Sequence, residues 1–475
     1  MSFLVYDLTF LVIFVILMSI FLRRNRKNLK REGLLYLYRT SWGIRWINYV
    51  GKKYPRLLKI MSYLAIILGY LLMIGAIYLV VRIVSIYVFN PLIVREIKVP
   101  PIIPLVPYLP QIFNLSWLPS FNFTYWIVIL AIIAISHEFA HGIVAVYNKV
   151  KIKTTGFGFF PFFLPVFLAA FVELDEKKMA KKSKFAQLSV LAAGTFANVL
   201  TAIFFLGVMW IFFSLAFIPT GVIFSNYQVA VIPSNGISSV NGIPVDGNNF
   251  SAVISLINGT ELNKIMVGNL TFLTTRGILE KQINNSGFIG VYEDSPATEA
   301  GLFGAITELD GVKVTNIEQL SEEFLKYSPG DNITITTRTT SETLEYRITL
   351  GKNPQNQSEP WLGIAFSQTE SGNVLGRIIS ALASFKDPYT FYQPRLGDAS
   401  LFIYNLLWWL ILISISVALV NMLPAGIFDG GRFFYLTIWG ITKKEKIAKK
   451  SFKVMGYIIL FLFILLMVKW AFNFF

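Results

Sequence analysis

The sequence predicts an α-helical multi-pass membrane protein with about six transmembrane helices and a β-rich external region inserted between the fourth and fifth. Three observations predict it. The 475-residue chain is 55% hydrophobic, with a mean hydropathy of +0.59, too apolar for an ordinary soluble protein. Six apolar stretches reach the length of about 20 residues that a bilayer span needs; they lie near 3–22, 61–89, 126–148, 185–215, 399–422 and 454–473. One long segment, 220–398, instead shows β-branched alternation and turn glycines.

Residues 1–125 hold the first two spans. The first has no basic residues before it and runs directly into Arg23-Arg-Asn-Arg-Lys27, so it reads as a span and not as a cleaved leader. Between Arg23 and Lys59 there are 12 Lys+Arg and one acid, Glu32, which predicts a cytoplasmic loop. Lys149–Lys184 and Lys443–Lys453 are also basic and fall on the same side if the spans alternate. The opposite side then carries 90–125 and 220–398. Every N-x-[ST] sequon lies in those two regions: Asn114, Asn122, Asn249, Asn258, Asn269, Asn284, Asn332 and Asn356. The 90–110 stretch is proline-rich and reads as an extended external loop. The net charge is +15, yet 223–398 carries 11 Lys+Arg against 18 Asp+Glu, a balance of −7 that leaves +22 for the rest. A basic excess confined to membrane-flanking loops is an orientation signal and excludes a nucleic-acid partner. The chain has no cysteine, which excludes disulfides, thiolate zinc sites and cysteine nucleophiles.

Residues 126–219 hold the third and fourth spans and the chain's only two histidines, both in His137-Glu138-Phe139-Ala140-His141. Positions i and i+4 share a helix face, so both imidazoles can grip one metal ion. Glu138 beside them can take a proton from water. Such a group is costly within a membrane span and marks a functional site there. His137 stands eleven residues after Trp126, roughly 16 Å along a helix, so the metal is expected in the cytoplasmic half, with water entering from that side. Thr154–Val172 is apolar but broken by glycine and proline. It reads as a re-entrant hairpin, which membrane depth tolerates only beside protein or a water-filled cavity. The hairpin could offer a strand edge to an extended substrate, or it could seal the cytoplasmic face.

Residues 220–398 contain an internal repeat. Ile237-Ser-Ser-Val-Asn-Gly-Ile-Pro-Val245 matches Ile306-Thr-Glu-Leu-Asp-Gly-Val-Lys-Val314, each a strand, an Asn/Asp-Gly turn and a strand. Phe288-Ile-Gly-Val and Trp361-Leu-Gly-Ile form a second pair. The element Ser295-Pro-Ala-Thr-Glu-Ala-Gly-Leu302 makes the second copy resemble a PDZ domain, with a short helix at 317–327 and strands over 332–349. The first copy lacks that element and resembles a degenerate PDZ. The resemblance implies capture of extended chain ends by strand addition; a spacer that binds nothing is the other reading.

Residues 399–475 hold the last two spans. A zinc site needs a third protein ligand besides the two histidines. Asp429 stands out in Asn421-Met-Leu-Pro-Ala-Gly-Ile-Phe-Asp-Gly-Gly-Arg432, where glycines break the helix and let backbone approach a cavity. HExxH in one span, Gly194-Thr-Phe-Ala-Asn198 in the next and N-x-x-P-x-x-x-x-D-G in a later one together resemble the site-2 protease family, intramembrane zinc metalloproteases. The resemblance covers about 126–215 and 399–440; Phe428 stands where the family's motif usually has leucine. It implies one zinc ion held by His137, His141 and Asp429, with Glu138 as base, acting on transmembrane protein substrates within membrane lipid. Asn198 and Asn421 would be polar helpers near the site or plain interhelical hydrogen bonders. The inserted region would cover the external mouth. Two readings of other classes stand beside this one: a divalent-metal transporter, which needs further carboxylates along a path, and an inactive PDZ-bearing scaffold.

Overall fold

The computed structural model describes residues 3–32, 35–90, 94, 100–102, 105–115, 118–159, 168–259, 261–280, 282, 287–339, 342–366 and 374–474. These divide into two compact units, one of residues 1–211 and 402–475 and the other of residues 212–401. Among the described residues, six helices are long and apolar enough to cross a membrane.

The first unit opens with α1 (Phe3–Arg24), whose last turn carries Arg23 and Arg24. The basic stretch after it folds as two strands, β1 (Leu29–Glu32) and β2 (Leu35–Thr40), paired antiparallel. A short helix, α2 (Ile44–Lys53), leads through Pro55 into α3 (Pro55–Phe89). At 1.5 Å per residue α3 is roughly 52 Å long, more than the hydrocarbon core of about 30 Å, so part of it projects or tilts.

Helix α4 (Phe123–Tyr147) carries the two histidines. The first N–H groups of a helix have no partner within it, and in a membrane they must find one. Asn122 precedes the helix but its side chain makes no cap. The cap comes instead from α1. The Asp7 carboxylate, 1% exposed, accepts the N–H of Phe123 at 2.8 Å and of Thr124 at 2.9 Å, with the hydroxyls of Thr124 and Tyr108 also donating to it. An anion at the positive end of the helix dipole stabilises this arrangement.

After α4, strands β3 (Ile152–Phe159) and β4 (Leu168–Leu174) pair antiparallel. The tip of the expected re-entrant hairpin, 160–167, lies outside the described residues. Strand β2 joins β3, with Tyr38 opposite Phe157, so the basic loop extends the hairpin into a four-stranded sheet in the order β1-β2-β3-β4. Among the described residues β4 is its edge. A one-turn helix at Glu176–Ala180 leads to α5 (Lys184–Ala216).

The second unit holds two β-rich halves. In the first, β7 (Val229–Pro233), β8 (Ile237–Val240), β9 (Ile243–Pro244), β10 (Asn263–Val267), β11 (Leu270–Thr274) and β12 (Phe288–Glu293) form one sheet around Ile237, Val240 and Ile265. In the second, β13 (Ala305–Leu309), β14 (Val312–Lys313), β15 (Asn332–Arg338) and β16 (Thr343–Thr349) join β5 (Phe217–Val222) and β20 (Thr390–Pro394) around Ile306, Leu309 and Ile335. The short strands β6 (Asn226–Tyr227) and β19 (Ile364–Ala365) pair with each other, as do β17 (Gly351–Lys352) and β18 (Pro360–Trp361).

The repeat in the sequence has a structural counterpart. Asn241-Gly242 and Asp310-Gly311 both take left-handed backbone angles. Asn241 Oδ1 accepts the N–H of Lys264, and Asp310 Oδ1 accepts that of Thr334, so each turn is tied to the same neighbouring strand of its own half. Ser295 and Thr298 form a reciprocal capping box at the start of the short helix Pro296–Glu299. The helix α6 (Ile317–Phe324) packs Leu320 into the second core.

The chain returns to the first unit through α7 (Asp398–Asn421), a tight turn, α8 (Asp429–Thr442) and α9 (Glu445–Phe474). A Cβ at Gly430 would overlap the backbone of Met422, and one at Gly431 that of Ala425, so only glycine permits this turn. Met422, Phe433 and Leu436 pack with Ala65, Leu191 and Ala192, holding α8 against α3 and α5.

Candidate metal centre

Three side chains from two helices meet in the first unit. His137 and His141 lie one turn apart on α4, and Asp429 is the first residue of α8. Asp429 Oδ2 stands 3.3 Å from His137 Nε2 and 3.2 Å from His141 Nε2, and the two Nε2 atoms are 3.0 Å apart. Ligands at tetrahedral corners around zinc, with bonds of about 2.0–2.1 Å, stand about 3.3 Å from one another. The three edges match that spacing, so these residues fit a zinc ion.

The far side of each imidazole supports the same assignment. His141 Nδ1 lies 2.6 Å from the Val190 carbonyl, which can only accept, so Nδ1 carries the proton and Nε2 keeps its lone pair. His137 Nδ1 lies 3.0 Å from the Asn198 amide, while Asn198 Oδ1 is buried without a partner. Half a turn of that amide brings the stranded oxygen to the ring. There it accepts from Nδ1–H and leaves His137 Nε2 unprotonated. Val190, Gly194 and Asn198 follow one another at intervals of four on α5, so one helix face supports both histidines. Between the two contacts sits Gly194, where a Cβ would overlap Nε2 of both rings.

Glu138 turns the other way, toward the sheet. Its Oε2 accepts the N–H of Val172 on β4 at 2.9 Å. A strand's N–H groups alternate in direction, so β4 presents the backbone of Val172, and of Ala170 and Leu174 two residues away, to the side away from β3.

A cavity of about 290 Å³ opens here, lined by Glu138, His141, Asp429, Val172 and Gln187, with charged residues beyond. Arg432 and Glu176 close a bidentate ion pair at 3.0 and 3.3 Å on its lining. Glu173 also lies there. Burial would raise its pKa, but the hydrogen bond from Thr154 and the charges of Arg39 and Lys153 outweigh that and hold the carboxyl below the ordinary range.

Of the residues expected from the sequence, the structure brings together His137, Glu138, His141, Asn198 and Asp429. Asn421, the last residue of α7, instead lines a separate apolar groove with Leu105, Trp409 and Val417. Three contributors were not expected. Val190 and Val172 act through backbone atoms, which leave no mark in a sequence. Asp7 had a readable signal, a lone acid in the first apolar stretch. Gly194 belongs to the Gly194–Asn198 element of the sequence resemblance, and its place in the structure is the clearance for two imidazole rings.

Comparison with known proteins gives a family match over most of the chain. The model for "Peptidase family M50" matches residues 125–467. The zinc metalloprotease RasP of Shouchella clausii is similar at 28% identity over 206 residues, 38% of this chain and 49% of its own. A Neisseria meningitidis protein with a provisional zinc metalloprotease name is 25% identical over 403 residues, 66% of this chain and 90% of its own. A Fusobacterium nucleatum protein with a similar provisional name is 27% identical over 283 residues, 52% of this chain and 83% of its own. The chain thus spans about half the length of the first of these relatives and most of the other two.

Proposed function

The chain belongs to peptidase family M50, and we propose that it is an intramembrane zinc metalloprotease that hydrolyses peptide bonds within the transmembrane segments of other membrane proteins. The observation that carries this reading is the triangle of His137 Nε2, His141 Nε2 and Asp429 Oδ2, with Glu138 adjacent on a helix apolar enough to cross a membrane.

Bound zinc would polarise the scissile carbonyl and acidify water. The chain's own residues supply the rest. Asn198 and the Val190 carbonyl fix the two imidazoles in the tautomer that leaves Nε2 free. Glu138 is the base: it takes the proton from the attacking water and returns it to the leaving nitrogen. Val172 holds its carboxylate in place. The outward edge of β4 takes the substrate as an added strand, so a substrate helix must unwind before it is cut. The charged lining of the cavity, with Arg432 and Glu176, is the route for water.

On this reading the basic loops face the cytoplasm and residues 220–398 lie outside. The β-rich unit, PDZ-like by sequence, screens substrates by excluding those that keep a bulky external domain. The transporter reading finds little support. Asp7, the acid buried in the first span, is taken up entirely by capping α4.

The test is cleavage of a membrane-spanning substrate by purified protein, with and without chelator, beside Glu138→Gln. Activity that survives in Glu138→Gln, or that ignores the chelator, would overturn the reading.

A further inference from the structure

Helix α2 has two unlike faces. Ile47 and Gly51 are buried against α4: Gly51 meets the side chain of Val146 and the carbonyl of Ile143, and Ile47 packs on Gly142. The opposite face carries Arg45, Trp46, Tyr49, Lys52 and Lys53, all exposed, with Trp46 at 57% and Tyr49 at 53%. Arg56 and Lys59 continue the exposed basic series into the first turns of α3. Trp42 and Tyr54 are exposed at either end of α2. Paired tryptophan and tyrosine belong to the level of the lipid headgroups, and clustered lysine and arginine beside a span attract anionic ones. The surrounding stretch from Arg23 to Lys59 has one acid, Glu32, to oppose that charge.

The same helix touches the metal motif. The rings of Trp42 and Trp46 lie 5.5 and 5.9 Å from that of Phe139, which stands between Glu138 and His141 in sequence. Gly43, with φ of +80°, passes so close that a Cβ would overlap the Phe139 ring. The turn before α2 is anchored by the Thr155 hydroxyl, which donates to the Trp42 carbonyl at 2.6 Å. The aromatic contact is thus fixed from one side by β3 and open on the other to whatever lies against α2.

We propose that the outer face of α2 is a binding site for the anionic headgroups of phospholipids, and that its occupancy is transmitted through Trp42 and Trp46 to Phe139 and so to the metal motif. Arg45, Lys52 and Lys53 hold the phosphate, and Trp46 and Tyr49 rest at the acyl boundary. A seated headgroup keeps α2 pressed on α4 and raises turnover. The activity half of this inference rests on the proteolysis proposed above; the binding half does not.

The test uses the full chain, which has no cysteine of its own, with Ser41→Cys carrying a fluorophore. The protein is reconstituted in phosphatidylcholine vesicles doped with acceptor-labelled phosphatidylglycerol or, separately, acceptor-labelled phosphatidylcholine. Energy transfer should show enrichment of the anionic lipid over the zwitterionic one. Each of Arg45→Gln, Lys52→Gln and Lys53→Gln should reduce that enrichment by about fivefold, and salt should reduce it further. Added glycerol phosphate should not displace the lipid; displacement, or equal transfer from both lipids, overturns the site. The triple glutamine variant should keep its activity in pure phosphatidylcholine but lose the gain seen on adding phosphatidylglycerol. Phe139→Leu should keep the lipid enrichment and lose the gain. If that variant does not fold, Trp42→Leu tests the same link. A gain that persists in a folded, lipid-enriched variant of either kind overturns the coupling.

Discussion

The carboxylate of Asp7 accepts the backbone N–H of Phe123 at 2.8 Å, so the helix that carries the histidines is capped by a residue from another helix, 116 positions earlier in the chain. The pairing fixes where α4 begins, and the histidines lie fourteen and eighteen residues further along it.

Replacing Asp7 with alanine strands the N–H groups of Phe123 and Thr124 together with two hydroxyls. The expected loss is on the order of 2–4 kcal/mol. Asp7→Asn keeps an acceptor but not the charge and should fall between. Unfolding midpoints of the detergent-purified variants measure it; an unchanged midpoint in Asp7→Ala would show that the cap is dispensable.

The metal and the base separate by mutation. His137→Ala, His141→Ala and Asp429→Ala should each lose zinc. Glu138→Gln should keep about one zinc per chain and lose cleavage by about 10²–10⁴-fold. Metal analysis beside a cleavage assay decides both points. Full zinc content in Asp429→Ala would remove it from the ligand set.

Two changes on α5 should damage the site without touching a ligand. Gly194→Ala places a methyl carbon in overlap with His141 Nε2 and 2.5 Å from His137 Nε2, so zinc binding should be abolished. Asn198→Leu should weaken zinc binding or activity by about 10–100-fold, the usual cost of losing a partner behind a ligating histidine. Competition with a metal-binding dye gives the affinities. Tight binding in Gly194→Ala would mean that α5 can move away.

Sidedness can be read by cysteine labelling against a background without cysteine. A cysteine at 320 should react with an impermeant reagent in intact cells, and one at 40 should not. The reverse pattern would invert the proposed topology.

Strands β5 and β20 are already paired, with Val222 opposite Thr390. Joining them by a short turn in place of 223–389 should leave the zinc site intact. The shortened enzyme should cut substrates that keep a bulky external domain at least as well as the parent does. Slower cleavage of trimmed substrates alone would favour capture of chain ends over exclusion.

The metal site was legible where its chemistry resides in side chains at fixed intervals. His137 and His141 mark one helix face by spacing, and Asp429 is flagged by the glycines of its turn. Asn198 and Asn421 look alike in sequence, both polar residues in apolar helices. They part in the structure because the facing direction depends on helix phase, which a sequence does not state. The strands β1 and β2 were hidden by charge: the alternation in Leu35-Tyr-Leu-Tyr sits within a basic stretch that reads first as a topology signal. The cap from Asp7 joins positions too far apart in the chain for any local pattern to connect them.

The row of Val190, Gly194 and Asn198 has a consequence for how α5 can change. All three contacts lie on one face, so they share a single rotational setting. Inserting one residue just before Val190 would turn that face by about 100° and remove the carbonyl, the clearance and the amide together. Opposite tolerance applies around the same helix, where Leu200, Ile203 and Phe204 are exposed. Any apolar side chain serves them equally. Drift along α5 is therefore free in composition on one side and barred in length as far as Asn198, where a deletion of one residue should be more damaging than many substitutions.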